Sequence, residues 1–394
     1  MASYTVPGVY VEESVGLSLS VQTGQTAVPV FAFGTSTSWG GAVGGAGTGF
    51  NKDGVTEFNA WLDVTTVRQR FITDAKGDVH QEKADAFDLA VKSDPLYQSL
   101  QLYFINGGGH CYVAPVDKLA ELVPALDDVT LLVQAGTGQA DFLKAAMDKK
   151  LCQTGNPYFA LFDGPNDAPL TDKAGVDTAA KTYPDTPYGA VYYPWLTVSE
   201  GIIAVPPSGA VAGVYARVDR ERGVWKAPAN VEIIGAEPRF TVTDEVDGYC
   251  NVPASGGKSI NVIRRFRGTG PLIWGARTLS SKTPAWRYVP VRRLFCAAEK
   301  DIKTAMSMAL FEPNNAPTWE RVRGAIESYL HGLWKEGALQ GEIPEQAYFV
   351  QVGLGTTMTQ DDIDNGKMVV KVGLAAVRPA EFIVLQLSQN VVTG

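Results

Sequence analysis

The sequence predicts a mixed α/β (α+β) protein of two domains, with an extended β-strand arm at each end. Three observations lead to this prediction. The chain has 394 residues, more than the usual single domain of about 100 to 200 residues. Apolar strand patterns alternate with helical patterns over much of the chain, which is typical of an α/β layer. Short apolar strand patterns also lie at both chain ends, where no adjacent segment offers a hairpin partner.

The N-terminal segment has the two-residue period of a β-strand. Apolar and polar or aromatic side chains alternate in Val9, Tyr10, Val11 and Glu12. A second short strand pattern follows at 17–21. About twenty extended residues at about 3.3 Å each could reach roughly 60 Å, far enough to contact a neighbouring subunit. We therefore expect residues 1–20 to form an arm.

Residues 21–262 carry the alternating pattern of an α/β domain. The predicted strands are 27–35, 111–114, 130–133, 158–162 and 190–193. The predicted helices are 82–93, 96–103, 139–150, 170–181 and one that starts near 206 and continues to about 216. The last helix has many small side chains, which favour close packing against a second helix, and Ser208 is its candidate N-cap. We expect a domain boundary near 260, where a polar, turn-rich stretch ends.

Residues 263–379 predict a second domain, with a strand at 272–276, helices at 289–310 and 319–336, and strands at 348–352 and 367–377. Pro379 interrupts this pattern. An apolar strand pattern then begins with Phe382, Ile383, Val384 and Leu385. Residues 380–394 are therefore expected to form a second arm, which resembles the one at the other end of the chain.

No motif in the sequence predicts catalysis, a cofactor or a metal. The glycine-rich run 44–49 is followed by Phe50 and lacks the Lys-Ser/Thr of a phosphate-binding loop, and the glycines 107–109 favour a tight turn. His110 and Cys111 are adjacent, but neighbours on a strand point to opposite faces, so they could not touch. The acidic cluster 361–364 lacks the spacing of a calcium loop, and a solvated turn is expected there.

Composition excludes several classes of protein. The net charge of −8 gives no global attraction for nucleic acid, and the only basic cluster is Arg264, Arg265 and Arg267. The first residues lack the features of a secretory signal, and no apolar run is long enough to span a bilayer, so we expect a chain that stays in the cytoplasm and does not insert into membranes. The four cysteines are scattered without CxxC pairs, which favours buried, reduced thiols.

Several segments, in order along nearly the whole chain, resemble the contractile tail sheath family, and most of all the sheaths of extracellular injection particles such as the antifeeding prophage and Photorhabdus virulence cassettes. The segments are 7–13 (PGVYVEE), 104–113 (FINGGGHCYV), 192–195 (YYPW), 206–230 (which includes DRERGVWKAPAN at 219–230), 274–279 (WGARTL), 286–289 (WRYV), 291–294 (VRRL) and 378–383 (RPAEFI). Residues 353–358 (GLGTTM) depart from the family pattern, where many members carry a more polar stretch.

The resemblance implies a structural subunit, not an enzyme, that polymerises helically around an inner tube and contracts to drive it through a target envelope. It implies stacked rings of this chain, hexameric in our prediction, with baseplate and cap proteins as further partners. Assembly would take place in the bacterial cytoplasm, and the product would be a virion or a released phage tail-like particle. Residues 263–379 would face the tube, and residues 21–262 would face outward. The exposed edges of two unpaired terminal strands recruit other chains, so the arms are expected to add to a neighbour's sheet.

Three alternatives remain open at this point. The chain could be a specialised sheath paralogue at the baseplate or cap end of the same machine. It could be a thiol hydrolase built on Cys111 and His110, or a carbohydrate-binding module that uses exposed aromatic residues such as Trp225 or Trp286.

Overall fold

A computed structural model describes residues 19–34, 53–73, 76–92, 94–198, 203–251 and 257–381. The described chain forms two compact units. The larger unit contains the described residues of 24–300, 337–340 and 375–381, and the smaller unit contains 19–23, 301–336 and 341–374.

The strands of the described ranges are short. They are β1 Pro29–Phe33, β2 Thr56–Phe58, β3 Cys111–Pro115, β4 Leu131–Val133, β5 Cys152–Gln153, β6 Asn156–Pro157, β7 Phe159–Asp163, β8 Gly189–Tyr193, β9 Leu196–Val198, β10 Ile203–Val205, β11 Val231–Glu232, β12 Glu237–Pro238, β13 Ile260–Arg265, β14 Pro271–Ile273, β15 Tyr348–Val352 and β16 Val370–Leu374.

The α-helices of the same ranges vary from about one turn to more than five turns. They are α1 Trp61–Ile72, α2 Gln81–Lys92, α3 Pro95–Ile105, α4 Leu119–Leu122, α5 Gln139–Leu143, α6 Lys173–Lys181, α7 Pro207–Arg222, α8 Asp244–Asn251, α9 Val289–Met306, α10 Ala316–Lys335, α11 Pro344–Ala347 and α12 Gln360–Asp364.

A nine-stranded sheet organises the larger unit. Its strand order is β11-β14-β13-β8-β7-β4-β1-β3-β2. The six strands from β13 to β3 are parallel, and the strands at both edges of the sheet pair antiparallel. Parallel strands need covered faces, and every residue of β7 and β8 is accordingly buried. Residues 159–162 of β7 and the whole of β8 are continuous runs without a charged side chain. Side chains alternate between two apolar cores, one on each face, so that Phe31 belongs to one core and Val30 and Ala32 to the other.

Helices α3 and α7 pack against each other through glycine. A Cβ atom on Gly209 would lie 2.6 Å from the Ser99 carbonyl oxygen, and one on Gly213 would lie 2.4 Å from that of Tyr103. Only glycine permits this backbone approach. The close packing expected for the small-residue helix is therefore confirmed. The expectation that Ser208 caps this helix is wrong, because α7 begins at Pro207 after Pro206, and the Ser208 hydroxyl accepts the Ala135 N–H at 3.0 Å instead.

The buried carboxylate of Asp163 caps α7 from the end of β7. One oxygen accepts the Ser208 N–H and the other accepts the Gly136 N–H, both at 2.9 Å. Burial raises the pKa of Asp163 to about 6, although these hydrogen bonds act to lower it. The carboxylate thus fixes the start of α7 on the sheet and satisfies a donor that the helix leaves open.

The smaller unit contains α10, the antiparallel pair β15–β16 and the short helices α11 and α12. One face of α10 is buried, and its Tyr329 hydroxyl donates to the Asp301 carboxylate at 2.8 Å. The acidic cluster expected to form a solvated turn forms α12, which begins with reciprocal hydrogen bonds between Thr359 and Asp362.

The mixed α/β class expected from the sequence is confirmed. The compact units have different limits from the expected domains 21–262 and 263–379, because β13 lies inside the nine-stranded sheet and α9 starts in the larger unit. The assignment of an outward and a tube-facing domain stays a prediction.

Candidate functional site at the roots of the chain ends

The residues predicted to link subunits lie outside the described ranges. They are Val9, Tyr10, Val11 and Glu12 at one end and Phe382, Ile383, Val384 and Leu385 at the other. The structure does describe Thr26, which follows the predicted arm 1–20, and Glu381, which is the second residue of the predicted arm 380–394. Both positions are held in the larger unit by a buried arginine–carboxylate pair.

The N-terminal root is Thr26, which contacts the ion pair between Arg293 of α9 and Asp219 of α7. The Arg293 guanidinium donates to both carboxylate oxygens of Asp219 at 3.0 and 2.6 Å and to the Thr26 carbonyl oxygen at 2.9 Å. The Thr26 hydroxyl donates to the same carboxylate at 2.6 Å. The two charged side chains are only 3% and 5% exposed. A two-pronged pair in this environment fixes both distance and orientation.

The aromatic ring of Tyr215 stabilises the positive charge of Arg293 at this root. The Arg293 guanidinium carbon lies 4.5 Å from the centre of the Tyr215 ring, and the Tyr215 hydroxyl is 2.6 Å from that of Tyr192. Burial raises the pKa of Tyr215 well above its usual value, so the phenol stays neutral. Burial alone would lower the pKa of Arg293, but the Asp219 carboxylate outweighs it and raises this pKa. Arg293 therefore keeps its positive charge throughout the physiological pH range.

The C-terminal root is Glu381, which precedes the predicted arm strand directly. Arg277 donates to both carboxylate oxygens of Glu381 through Nε, at 3.0 and 3.1 Å, and through Nη2. Its Nη1 donates to the Asn251 carbonyl oxygen at 2.6 Å, and the Tyr288 hydroxyl donates to Glu381 at 3.3 Å. The Arg277 side chain is 6% exposed. The direction in which the chain leaves this unit is therefore fixed up to residue 381.

The smaller unit presents the two-stranded sheet β15–β16. Five residue pairs hold it together, from Tyr348 with Leu374 to Val352 with Val370. The Phe349 ring covers the Gly373 position opposite, where an added Cβ would lie 2.2 Å from the ring. Within the described residues, no further strand pairs with either outer edge. A two-stranded sheet is marginal by itself, and open edges are templates for additional strands.

The Cys111–His110 pair offers no nucleophile and base. Cys111 is fully buried, and burial raises its thiol pKa well above the usual value. The His110 ring lies elsewhere, 2.7 Å from the Asn59 amide oxygen and 3.1 Å from the Asp128 carboxylate. The other three cysteines are buried free thiols as well, as the sequence predicted.

The aromatic residues and the basic cluster that the sequence analysis singled out make structural contacts. Trp225 packs against the Gly223 position, and the Trp286 ring stacks edge-on against Phe295 at 4.8 Å, so both indoles are half-buried. Two arginines of the basic cluster are ion-paired, Arg264 with Asp244 and Asp247, and Arg265 with Glu237. Across the described ranges, no group of His, Cys, Asp and Glu could hold a metal ion, and no helix is long and apolar enough to cross a bilayer.

The two arginine–carboxylate pairs were missed by the sequence prediction. Their partners are 74 and 104 residues apart along the chain, and no local periodicity connects them. One signal was present, since all four residues lie in segments that carry the family resemblance: Asp219, Arg277, Arg293 and Glu381.

Comparison with known proteins supports the same family across the chain. Residues 127–279 match the model of the phage tail sheath protein central domain, and residues 281–390 match that of the phage tail sheath C-terminal domain. A prophage major tail sheath protein of Pseudomonas aeruginosa (strain UCBPP-PA14) is 31% identical over 165 residues, which cover 40% of each chain. The tail sheath protein of Enterobacteria phage T4 is 27% identical over 190 residues, or 46% of this chain and 26% of that protein. The matched region thus spans less than half of either curated relative.

Solved structures match over the full length. The PVC sheath complex of an extracellular contractile injection system, in the contracted state, is 48% identical, with a TM-score of 0.82 and 99% of each chain covered. The helical sheath of the anti-feeding prophage, also contracted, is 36% identical with a TM-score of 0.75, covering 98% of this chain and 100% of that one. These matches do not favour an end-specific paralogue. The chain belongs to the phage tail sheath family, as a structural sheath subunit of the kind found in contractile injection systems.

Proposed function

We propose that this subunit polymerises helically around an inner tube and that contraction of the polymer drives the tube through a target envelope. Neighbouring copies would be linked by their chain ends, residues 1–20 and 380–394, each adding a strand to a sheet in another copy. The observation that carries this proposal is the sheet β15–β16, whose outer edges lack a strand partner among the described residues. Strand addition supplies backbone hydrogen bonds without requiring a deep pocket.

The contacts at the two roots also support the proposal, because they fix the chain of the copy that would supply the arm strands. Thr26 and Glu381 are held by buried arginine–carboxylate pairs in one unit. The chain would therefore be fixed at Thr26 and at Glu381 in the larger unit. Residues 19–23, which include the end of the predicted N-terminal arm, and the acceptor sheet β15–β16 belong to the smaller unit. A link anchored in this way can persist while the rigid units change their packing, which is what contraction requires.

The remaining partners follow from the same role. Head-to-tail contacts that do not close produce a helical filament, here of stacked rings that we take to be hexameric. The inner tube would contact charged faces of the helices predicted at 289–310 or 319–336, and baseplate and cap proteins would terminate the sheath. Assembly would take place in the bacterial cytoplasm before release of the particle. We propose that the subunit has no catalytic activity, binds no cofactor or nucleic acid and does not insert into membranes.

Truncation of the N-terminal arm tests the linkage. Deletion of residues 1–15 removes none of the described residues, so we expect a folded, soluble chain that does not polymerise. Sedimentation and negative-stain microscopy measure assembly, and thermal unfolding measures folding.

A matched variant replaces residues 1–15 by a glycine-serine segment of the same length, which keeps the reach but removes the strand pattern. It should fail to assemble as well. Full-length sheaths from the truncated chain would show that the N-terminal arm is not the connector.

A further inference from the structure

Arg292 lies in an aromatic cage on α9, one residue before Arg293 of the N-terminal root. Its guanidinium carbon is 4.4 Å from the centre of the Trp286 ring, 4.5 Å from that of Tyr188 and 5.8 Å from that of Phe295. Arg292 is 6% exposed. Trp286, Tyr188 and Phe295 thus form the walls of a cage around a buried cation.

This cation has no carboxylate partner in the described chain. The Arg292 Nε is buried without any hydrogen-bond acceptor. The neighbouring Cys296 thiol, which interacts with the guanidinium, is only a weak acceptor. The carboxylate of Glu299, further along α9, instead accepts the Gly155 N–H at 2.8 Å. Aromatic faces attract a cation, but they do not accept the N–H groups at the edge of a guanidinium.

The other arginines with comparable burial differ in this respect. Arg293 is paired with Asp219, and Arg277 is paired with Glu381. Burying a cation without a counter-charge is costly, and a protein normally supplies an anion or keeps the group in water. Arg292 is 6% exposed, so a small part of the residue still contacts solvent, whereas its Nε does not.

We propose that the Arg292 cage binds a carboxylate side chain, Asp or Glu, from a second copy of this chain in the assembled sheath. This inference rests on the proposed helical self-assembly. The chain is acidic, with 42 Asp and Glu against 34 Lys and Arg, so a second copy presents many candidate carboxylates. A guanidinium matches a carboxylate in a planar, two-pronged geometry, and arginine with Trp and Tyr is enriched among the residues that dominate interface energies.

The substitution Arg292→Met tests the proposal in the full chain. It removes the buried charge and keeps a flexible apolar side chain, so thermal unfolding of the soluble protein should be unchanged or shifted upward. The protein concentration at which sheaths form, measured by sedimentation, should rise at least tenfold. Arg292→Lys keeps the charge but lacks the planar fork, and it should give a smaller rise. Arg287→Met, at an exposed position five residues earlier, is the matched control and should assemble like the wild type.

Two outcomes of these assays would overturn the inference. One is assembly of Arg292→Met at the wild-type concentration, and the other is a loss of assembly that only parallels a loss of folding stability in both Arg292 variants. Failure of the wild type itself to form sheaths would count against the proposed function instead. In a density map of the assembled sheath, a carboxylate of a neighbouring copy should lie within hydrogen-bond distance of Arg292. A carboxylate from the tube protein, or none, would refute the assignment.

Discussion

The larger and the smaller unit differ in how completely their strands are covered and paired. In the larger unit, six parallel strands are covered on both faces, and the buried carboxylates of Asp163 and Asp219 have assigned donors. In the smaller unit, the sheet β15–β16 has two strands and, among the described residues, no partner on either outer edge. This difference supports the proposal that strands from other chains complete the sheet of the smaller unit.

The largest effect is expected when the N-terminal root is broken. Arg293→Leu leaves the buried Asp219 carboxylate without its counter-charge, and we expect a loss of about 3 to 5 kcal/mol in the free energy of unfolding. Urea denaturation of the soluble chain measures this loss.

The double variant Arg293→Leu, Asp219→Leu is the matched control. It removes both charges, so it should be less destabilised than the sum of the two single variants. A loss below about 0.5 kcal/mol in Arg293→Leu, which is the range of surface substitutions, would contradict a structural role for this pair.

A smaller, pH-dependent effect is expected at Asp163. Its folded pKa of about 6 is above the ordinary value of 3.8, so the folded state binds more protons than the unfolded state between these pH values. The contribution of Asp163 to stability is therefore fully present below the unfolded pKa and is lost as pH rises through the folded pKa. Asp163→Asn abolishes this titration and turns an amide N–H₂ toward a backbone donor. The free energy of unfolding of this variant should be lower than that of the wild type, and the difference should grow by about 2 kcal/mol as the pH is lowered from 7.5 to 4.5.

Asp185 provides a control of opposite sign. Burial acts to raise its pKa, but hydrogen bonds from Ser281 outweigh burial and lower it. The free energy of unfolding lost in Asp185→Asn should therefore stay nearly constant from pH 7.5 to pH 4.5 and shrink only as the pH falls below the ordinary value of 3.8. If the wild type exceeds Asp163→Asn by the same free energy of unfolding at both pH values, the Asp163 carboxyl group does not have the raised pKa expected for a buried group that caps α7.

Much of the larger unit could be predicted because buried parallel strands are mainly continuous apolar runs, as at 159–162 of β7 and in β8. The three-stranded sheet β10-β9-β12 was not predicted, since strands of two or three residues carry no readable period. Ser208 was assigned as a cap from its residue type, whereas Asp163 supplies the acceptor from a distant strand. The roots escaped prediction for the same reason, because the fold alone decides which carboxylate meets Arg277 or Arg293.

A density map of the assembled sheath tests most directly whether the chain ends complete the smaller unit of other copies. The proposed linkage predicts that residues 9–12 and 382–385 form backbone hydrogen bonds with β15 or β16 of neighbouring copies, while Thr26 and Glu381 keep their contacts to Arg293 and Arg277. Chain ends paired with the sheet of their own copy would contradict it.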